Sequence, residues 1–206
     1  LYHSSNGFAD KKYMREPFWV SIKKMKAKAD LRRISIVNFI LQFFYSWMVV
    51  YTPLYLTKTI GLEWDVIGII FTVMLLPFVL FQLPLGRLAD KRLGEKEILM
   101  TGISIMSIAT LVFAFSHNLT PIFIGLILFA TRTGASFIEV MAETYFFKKV
   151  DEEDAEMISF FRDAMPIAYL IGPLLGGILI GKLGYEPLYI ILSIIVLLSL
   201  IPASRI

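Results

Sequence analysis

Arg132, Glu139 and Glu143 lie in the stretch RTGASFIEVMAE, inside a run otherwise apolar enough to enter a lipid bilayer. A charged side chain at mid-bilayer costs about 2.5–3.5 kcal/mol even by the gentler insertion scales, so such residues face a cavity or a partner. At about 100° per residue, Glu139 at i+7 and Glu143 at i+11 return to within roughly 20° of the Arg132 direction. Gly125 and Ser136 fall on or near the same stripe. A helix entering at Pro121 carries Arg132 about 16 Å deep, close to the midplane. A guanidinium there can meet an anionic solute or a proton-carrying carboxylate. Its alternative is a permanent ion pair with Glu139 or with a carboxylate beyond this chain. Glu139 is a candidate coupling residue, because desolvation can make a carboxylate titrate usefully.

A second polar stripe lies nearer the start of the chain. Asn38, Gln42, Tyr45 and Thr52 recur at i, i+4, i+7 and i+14, within about 80° of arc on a helix. Amides and a phenol need partners in lipid, so this face is expected to line a cavity opposite Arg132; hydrogen bonding between helices, without ligand contact, is the alternative. Arg162 and Asp163 read as a solvated helix start. The run DEED at 151–154 reads as hydrated carboxylates rather than a metal site.

The elements that position these residues are apolar blocks. Of the 206 residues, 57% are hydrophobic, above the roughly 45–50% of soluble domains. They cluster in spans at about 34–57, 66–85, 98–116, 121–147, 158–181 and 185–202. Each approaches the roughly 20 residues a membrane helix needs, and none alternates as a barrel strand would. The expectation is an all-α integral membrane protein, a six-helix bundle over 34–206. Its short connections imply that consecutive helices pack as antiparallel neighbours. Pro53 is expected to kink the first helix near its end.

Cysteine is absent and the only histidines are His3 and His117. A His-based triad or metal centre has little to work with, so neither an enzyme nor a cofactor is expected. Nine Lys and Arg residues precede position 34, and Arg87, Lys91, Arg92, Lys96, Lys148, Lys149 and Arg205 fall on the same side of the membrane. Only Lys58 and Lys182 fall opposite. By the positive-inside rule both termini are cytoplasmic, in a plasma (cytoplasmic) membrane crossed many times. The basic segment 1–33 contains Asp10, Glu16 and Asp30 and lacks interleaved aromatics. It reads as a juxtamembrane segment on anionic lipid, not as a nucleic-acid arm. Within it, REPFWVSIKKMKAK fits a short interfacial helix with Trp19 at the headgroups. The chain opens on Leu1 with no signal-peptide pattern, which reads as a fragment.

The stretch after the second span is PLGRLADKRLGEKEIL. Gly86, Asp90, Lys91, Gly94 and Lys96 there follow a Gly-x-x-x-Asp-basic-x-Gly pattern that resembles the signature loop of the major facilitator superfamily; Glu95 departs from the usual basic residue. Physically, Gly86 would permit close helix approach, Asp90 would cap a helix start and Gly94 would permit a tight turn. In the fifth span, Gly172, Pro173, Gly176 and Gly177 of YLIGPLLGGILIG are similar to the core of a motif of that superfamily's antiporters. Ser159 and Ala168 stand where the longer form has glycines. The plainer reading is a kinked, close-packed helix.

The resemblance implies a secondary active transporter of a small solute by alternating access, proton coupling included among its readings. It also implies two six-helix bundles, of which this chain is expected to be the C-terminal one. Residues 1–33 would then be the remnant of the central loop. The implied partners are the solute, the bilayer and the missing N-terminal half, or a second copy in a half-size homodimer. The resemblance further implies that Glu143 pairs with Arg92 or Lys91 of the cytoplasmic gate loop, and that the first and fourth spans line the cavity. A non-transporting membrane scaffold or sensor is the alternative, and it leaves the polar stripes unexplained.

Overall fold

The computed structural model describes residues 28–91, 94–150 and 155–206. The segment 1–27, Arg92 and the acidic run 151–154 lie outside the described residues. Nearly all of the expected interfacial helix falls there too, and the side chains of Arg87, Asp90 and Lys91 are likewise outside.

α1 (Ala29–Tyr55) begins at Ala29, ahead of the apolar block that starts at position 34, and continues through Pro53. Beyond it the backbone widens into a π-helical turn at Leu56–Ile60, where the Thr57 hydroxyl donates to the Pro53 carbonyl at 2.9 Å. Gly61 ends the turn at φ 82°, a conformation that glycine adopts without a Cβ penalty. α2 (Trp64–Lys91), α3 (Glu95–Ala114), α4 (Pro121–Lys149), α5 (Ala155–Leu183) and α6 (Tyr185–Leu198) follow, with a short α7 (Leu200–Ala203). α4 starts on a proline at its first turn, where the missing N–H costs nothing. Prolines inside α2 and α5 persist because neighbouring helices can satisfy the freed carbonyls. No strand occurs among the described residues, and six helices are long and apolar enough to cross a membrane. This is an all-α bundle of the membrane type.

α1 is the most enclosed helix, while α2 and α5 leave most of their apolar surface outside the bundle. Their outward residues, such as Val79, Leu170 and Leu174, are large hydrophobics. In lipid that surface carries no hydrophobic penalty.

Packing does not follow chain order. α3 and α4 lie closely together, but α4 also takes α2 and α1 as neighbours, α3 packs on α6, and α1 packs on α5. Among the described residues, α1 with α2, α2 with α3 and α4 with α5 share little packing. The expectation that short connections make consecutive helices neighbours therefore fails for those pairs. A short loop only requires two helix ends to be close; the partner along the length is chosen by surface fit. Backbone meets backbone most closely, among the glycines described, at the crossing of Gly102 and Gly134, where a Cβ on Gly134 would lie 2.5 Å from the Gly102 carbonyl oxygen.

α1 is fastened to α5 at several levels. Asn38 Nδ2 donates to the Phe161 carbonyl at 3.0 Å and Trp47 Nε1 to the Gly172 carbonyl at 2.7 Å, and the Tyr51 hydroxyl donates to the Pro173 carbonyl. A Cβ on Gly172 would strike Ser46 and Trp47, and one on Gly176 would strike the Tyr51 ring. The glycines of the α5 motif thus give α1 its seat. Trp47→Phe removes the donor and part of the indole at a fully buried position, and is expected to cost about 2 kcal/mol or more, read as a lower melting temperature of the purified protein.

At the opposite end of α1, Tyr55 sits in a knot of rings with Phe113, Tyr185 and Tyr189 at 5.4–5.6 Å. Nearby, His117 of the α3–α4 turn faces Glu186 at 3.5 Å.

Candidate functional site

α4 places Arg132 in the interior, 3% exposed, and α1 covers it with aromatic faces. The guanidinium carbon lies 5.2 Å from the centre of the Tyr45 ring and 5.6 Å from that of Phe44. Guanidinium over an aromatic face is a favourable electrostatic contact, stronger when desolvated. Arg132 Nε has no hydrogen-bond partner, and no ion pair joins Arg132 to a carboxylate among the described residues. The other face of this arrangement is Glu139. Its Oε2 accepts a 2.7 Å hydrogen bond from the Tyr45 hydroxyl. Tyr45 therefore stands between the two charges, with its ring against the cation and its hydroxyl on the carboxylate.

The helical repeat explains why these groups meet. Arg132 and Glu139 are separated by seven residues of α4, two turns, and lie on one stripe. Tyr45 comes from the facing stripe of α1. The ring of Phe78, from α2, lies 6.3 Å from that of Tyr45. Tyr169 of α5 is within electrostatic range of both Arg132 and Tyr45. Glu139, Tyr45, Gln42 and Phe78 are half-buried, so this side of the centre opens outward while Arg132 is closed off.

The remaining expected residues divide. Gln42 Nε2 approaches Asn38 Oδ1 at 3.5 Å, at the outer limit for a hydrogen bond, and stays at the open face. Asn38 is buried and committed to the α5 backbone, so it fastens helices. Thr52 is fully buried, with its hydroxyl on Met48 Sδ at 3.6 Å, and does not reach the open face. Ser136 is also buried and donates to Thr133 of its own helix at 2.8 Å, which removes it from the polar stripe. Glu143 is exposed, in electrostatic range of Glu139 and Arg162. Its expected pairing with Arg92 or Lys91 falls on side chains outside the described residues. Arg162 and Asp163 are exposed on α5, well inside the helix rather than at its start.

The stretch resembling the signature loop is mostly helix. Gly86 and Asp90 belong to the last turns of α2, and the position capping α3 is Gly94. Asp90 therefore does not occupy the start of α3. A Cβ on Gly86 would meet nothing within 4 Å among the described residues, so none of the described helices approaches closely there. Gly94 has φ −62° and ψ 157°, open to any residue, and the Glu97 carboxylate occupies the space of its missing Cβ. A left-handed turn is not its reason. Glu95, the departure from the basic pattern, pairs with Lys148 at the end of α4. Lys149 reaches Asp30 at 3.5 Å, Asp30 meets Arg33 at 3.1 Å, and Arg33 donates to the Arg205 carbonyl at 2.7 Å. Acid in the first turn of α3 and base in the last turn of α4 also suit the helix dipoles.

Sequence reading overlooked Phe44, Phe78 and Tyr169. Phe44 and Tyr45 are adjacent in LQFFYSW, but an apolar ring in an apolar span carries no mark of contact with a cation.

The geometry is a bundle of apolar, membrane-length helices with Arg132 closed in its interior and Glu139 half-buried beside Tyr45. The pattern of the Major Facilitator Superfamily matches residues 34–205. The chain belongs to this superfamily, a family of multi-pass membrane transporters. It is 27% identical over 135 residues to the inner membrane transport protein YajR of Escherichia coli (strain K12). That match covers 66% of this chain and 29% of YajR, so the chain spans only part of the length of this relative.

Proposed function

We infer that the chain is one six-helix half of a secondary transporter, the C-terminal half, carrying a small solute across the plasma membrane by alternating access with both chain ends cytoplasmic. The observation that carries this reading is the Arg132–Tyr45–Glu139 centre. A scaffold gains nothing from a guanidinium placed in the bundle interior with no ion-pair partner among the described residues, at a cost of about 2.5–3.5 kcal/mol. A carrier of a charged or ion-coupled solute uses charge at mid-depth, where binding groups serve both faces of the membrane. Glu139, already accepting a hydrogen bond, is the candidate proton-coupling group. The Lys and Arg distribution supports the orientation, and the long basic segment before α1 supports the C-terminal placement. The open faces of α2 and α5 favour a second bundle against them, which is the missing half or a second copy of this chain.

The sequence has no cysteine, so Gln42→Cys places a single thiol of this half at the open side of the centre. Alternating access predicts that a membrane-impermeant maleimide labels it from either side of sealed vesicles. Labelling from one side only, in vesicles of both orientations, would overturn the reading.

A further inference from the structure

The two charges of the centre are not equally available. Arg132 is 3% exposed and roofed by Phe44 and Tyr45. An anion could reach its guanidinium only after Tyr45 had left both the cation and Glu139. Glu139 is half-buried on the open side and keeps lone pairs beyond the one the Tyr45 hydroxyl occupies. The other charges that bear on it are Glu143, exposed further along α4, Arg162 of α5 beside Glu143, and Arg132 behind the Tyr45 ring. The first charge an incoming solute meets is thus a carboxylate.

Two aromatic side chains stand on one side of that carboxylate. Tyr45 touches it directly, and Phe78 stands beside Tyr45 with ring centres 6.3 Å apart. Both rings are half-buried and so present part of their surface outward. A carboxylate with aromatic rings standing to one side suits a cation whose charge is spread beneath apolar groups: the carboxylate meets the charge and the rings meet the apolar shell. It suits a small hydrated metal ion poorly, since few oxygens converge there to replace the ion's water.

We propose that the solute is a lipophilic organic cation, seated between the Glu139 carboxylate and the rings of Tyr45 and Phe78, with Arg132 held behind Tyr45 as a compensating charge that does not touch the ligand. This specifies the substrate class of the transport reading above and rests on it. It also assigns Phe78 to the binding surface.

The test uses the full-length purified protein with two probes of the same shape and opposite charge, tetraphenylphosphonium and tetraphenylborate, with binding followed by calorimetry. Tetraphenylphosphonium is expected to bind. Glu139→Gln, nearly isosteric and still able to accept from Tyr45, is expected to weaken it by about tenfold or more, and Phe78→Ala by about threefold to tenfold. Thermal melts identify which variants remain folded, and Phe78→Ala, which alters no charge, keeps the test alive if Glu139→Gln does not fold. Binding of tetraphenylborate that is lost in Arg132→Met would overturn the cation class and leave the transport reading standing. Cation binding unchanged in both Glu139→Gln and Phe78→Ala would overturn the site. No binding of either probe would overturn the proposal, while two-sided labelling of the Gln42 cysteine would still uphold transport.

Discussion

Arg132→Met is expected to raise the melting temperature of the purified protein and to abolish transport. Methionine fills much of the arginine volume without a charge. Arg132 has no ion-pair partner among the described residues, and its Nε makes no hydrogen bond. The faces of Phe44 and Tyr45 return about 0.5–2 kcal/mol, against about 2.5–3.5 kcal/mol for a charge at that depth. Apolar replacement of a buried charge is often stabilising, and a gain of about 1 kcal/mol corresponds to roughly 2–4 °C for a chain of this size. Glu139 keeps its Tyr45 hydrogen bond and its exposure in this conformation, so the resting state is not left with a stranded carboxylate. The loss appears when the cavity closes around its solute. Glu139 is then desolvated, and the charge behind the Tyr45 ring is what compensates it. Differential scanning fluorimetry and proteoliposome uptake of a solute that the wild-type protein carries measure the two halves of this expectation. A lower melting temperature with uptake retained would make Arg132 a structural residue.

Much of the fold was readable because membrane spans announce themselves by length and apolar composition. The Arg132–Glu139 stripe was readable because the two residues repeat with the helix, and Tyr45 because it shares a stripe with Asn38 and Gln42. What these side chains touch was less readable. Asn38 bonds a backbone carbonyl of α5, and a carbonyl leaves no trace in side-chain pattern. Ser136 is polar by type but satisfied within its own helix. Phe44 and Phe78 bear on the centre through ring faces, which any apolar span supplies. The neighbours of each helix were hidden for a related reason: chain order suggested α2 beside α3, whereas α2 packs on α4. Of the motif glycines, Gly172 and Gly176 do seat α1, while those of the α2–α3 stretch show no such contact. Gly86 meets nothing within 4 Å among the described residues, and Gly94 has an ordinary extended backbone. The pair at which backbone meets backbone most closely among the described glycines, Gly102 and Gly134, belongs to no motif.

That pair gives the second large effect. Gly134→Ala is expected to cost about 3 kcal/mol, at the upper end of overpacking penalties, and to leave little folded protein in the membrane. The added methyl would lie 2.5 Å from the Gly102 carbonyl oxygen and 2.5 Å from the Met106 amide nitrogen. Both obstacles are backbone of α3, and neither can rotate away as a side chain would. The two helices must therefore part. α4 carries Arg132 and Glu139 and also packs on α1 and α2, so the separation spreads through the centre of the bundle. Gly125→Ala on the same helix supplies the contrast. Its added carbon would meet only Ile70 Cγ1, at 3.8 Å, an ordinary contact. The gain in helix preference, roughly 0.5–1 kcal/mol, is then free to appear. Opposite shifts in melting temperature for these two Gly→Ala changes are the expected result. Equal shifts would mean that α3 and α4 do not cross at Gly102 and Gly134.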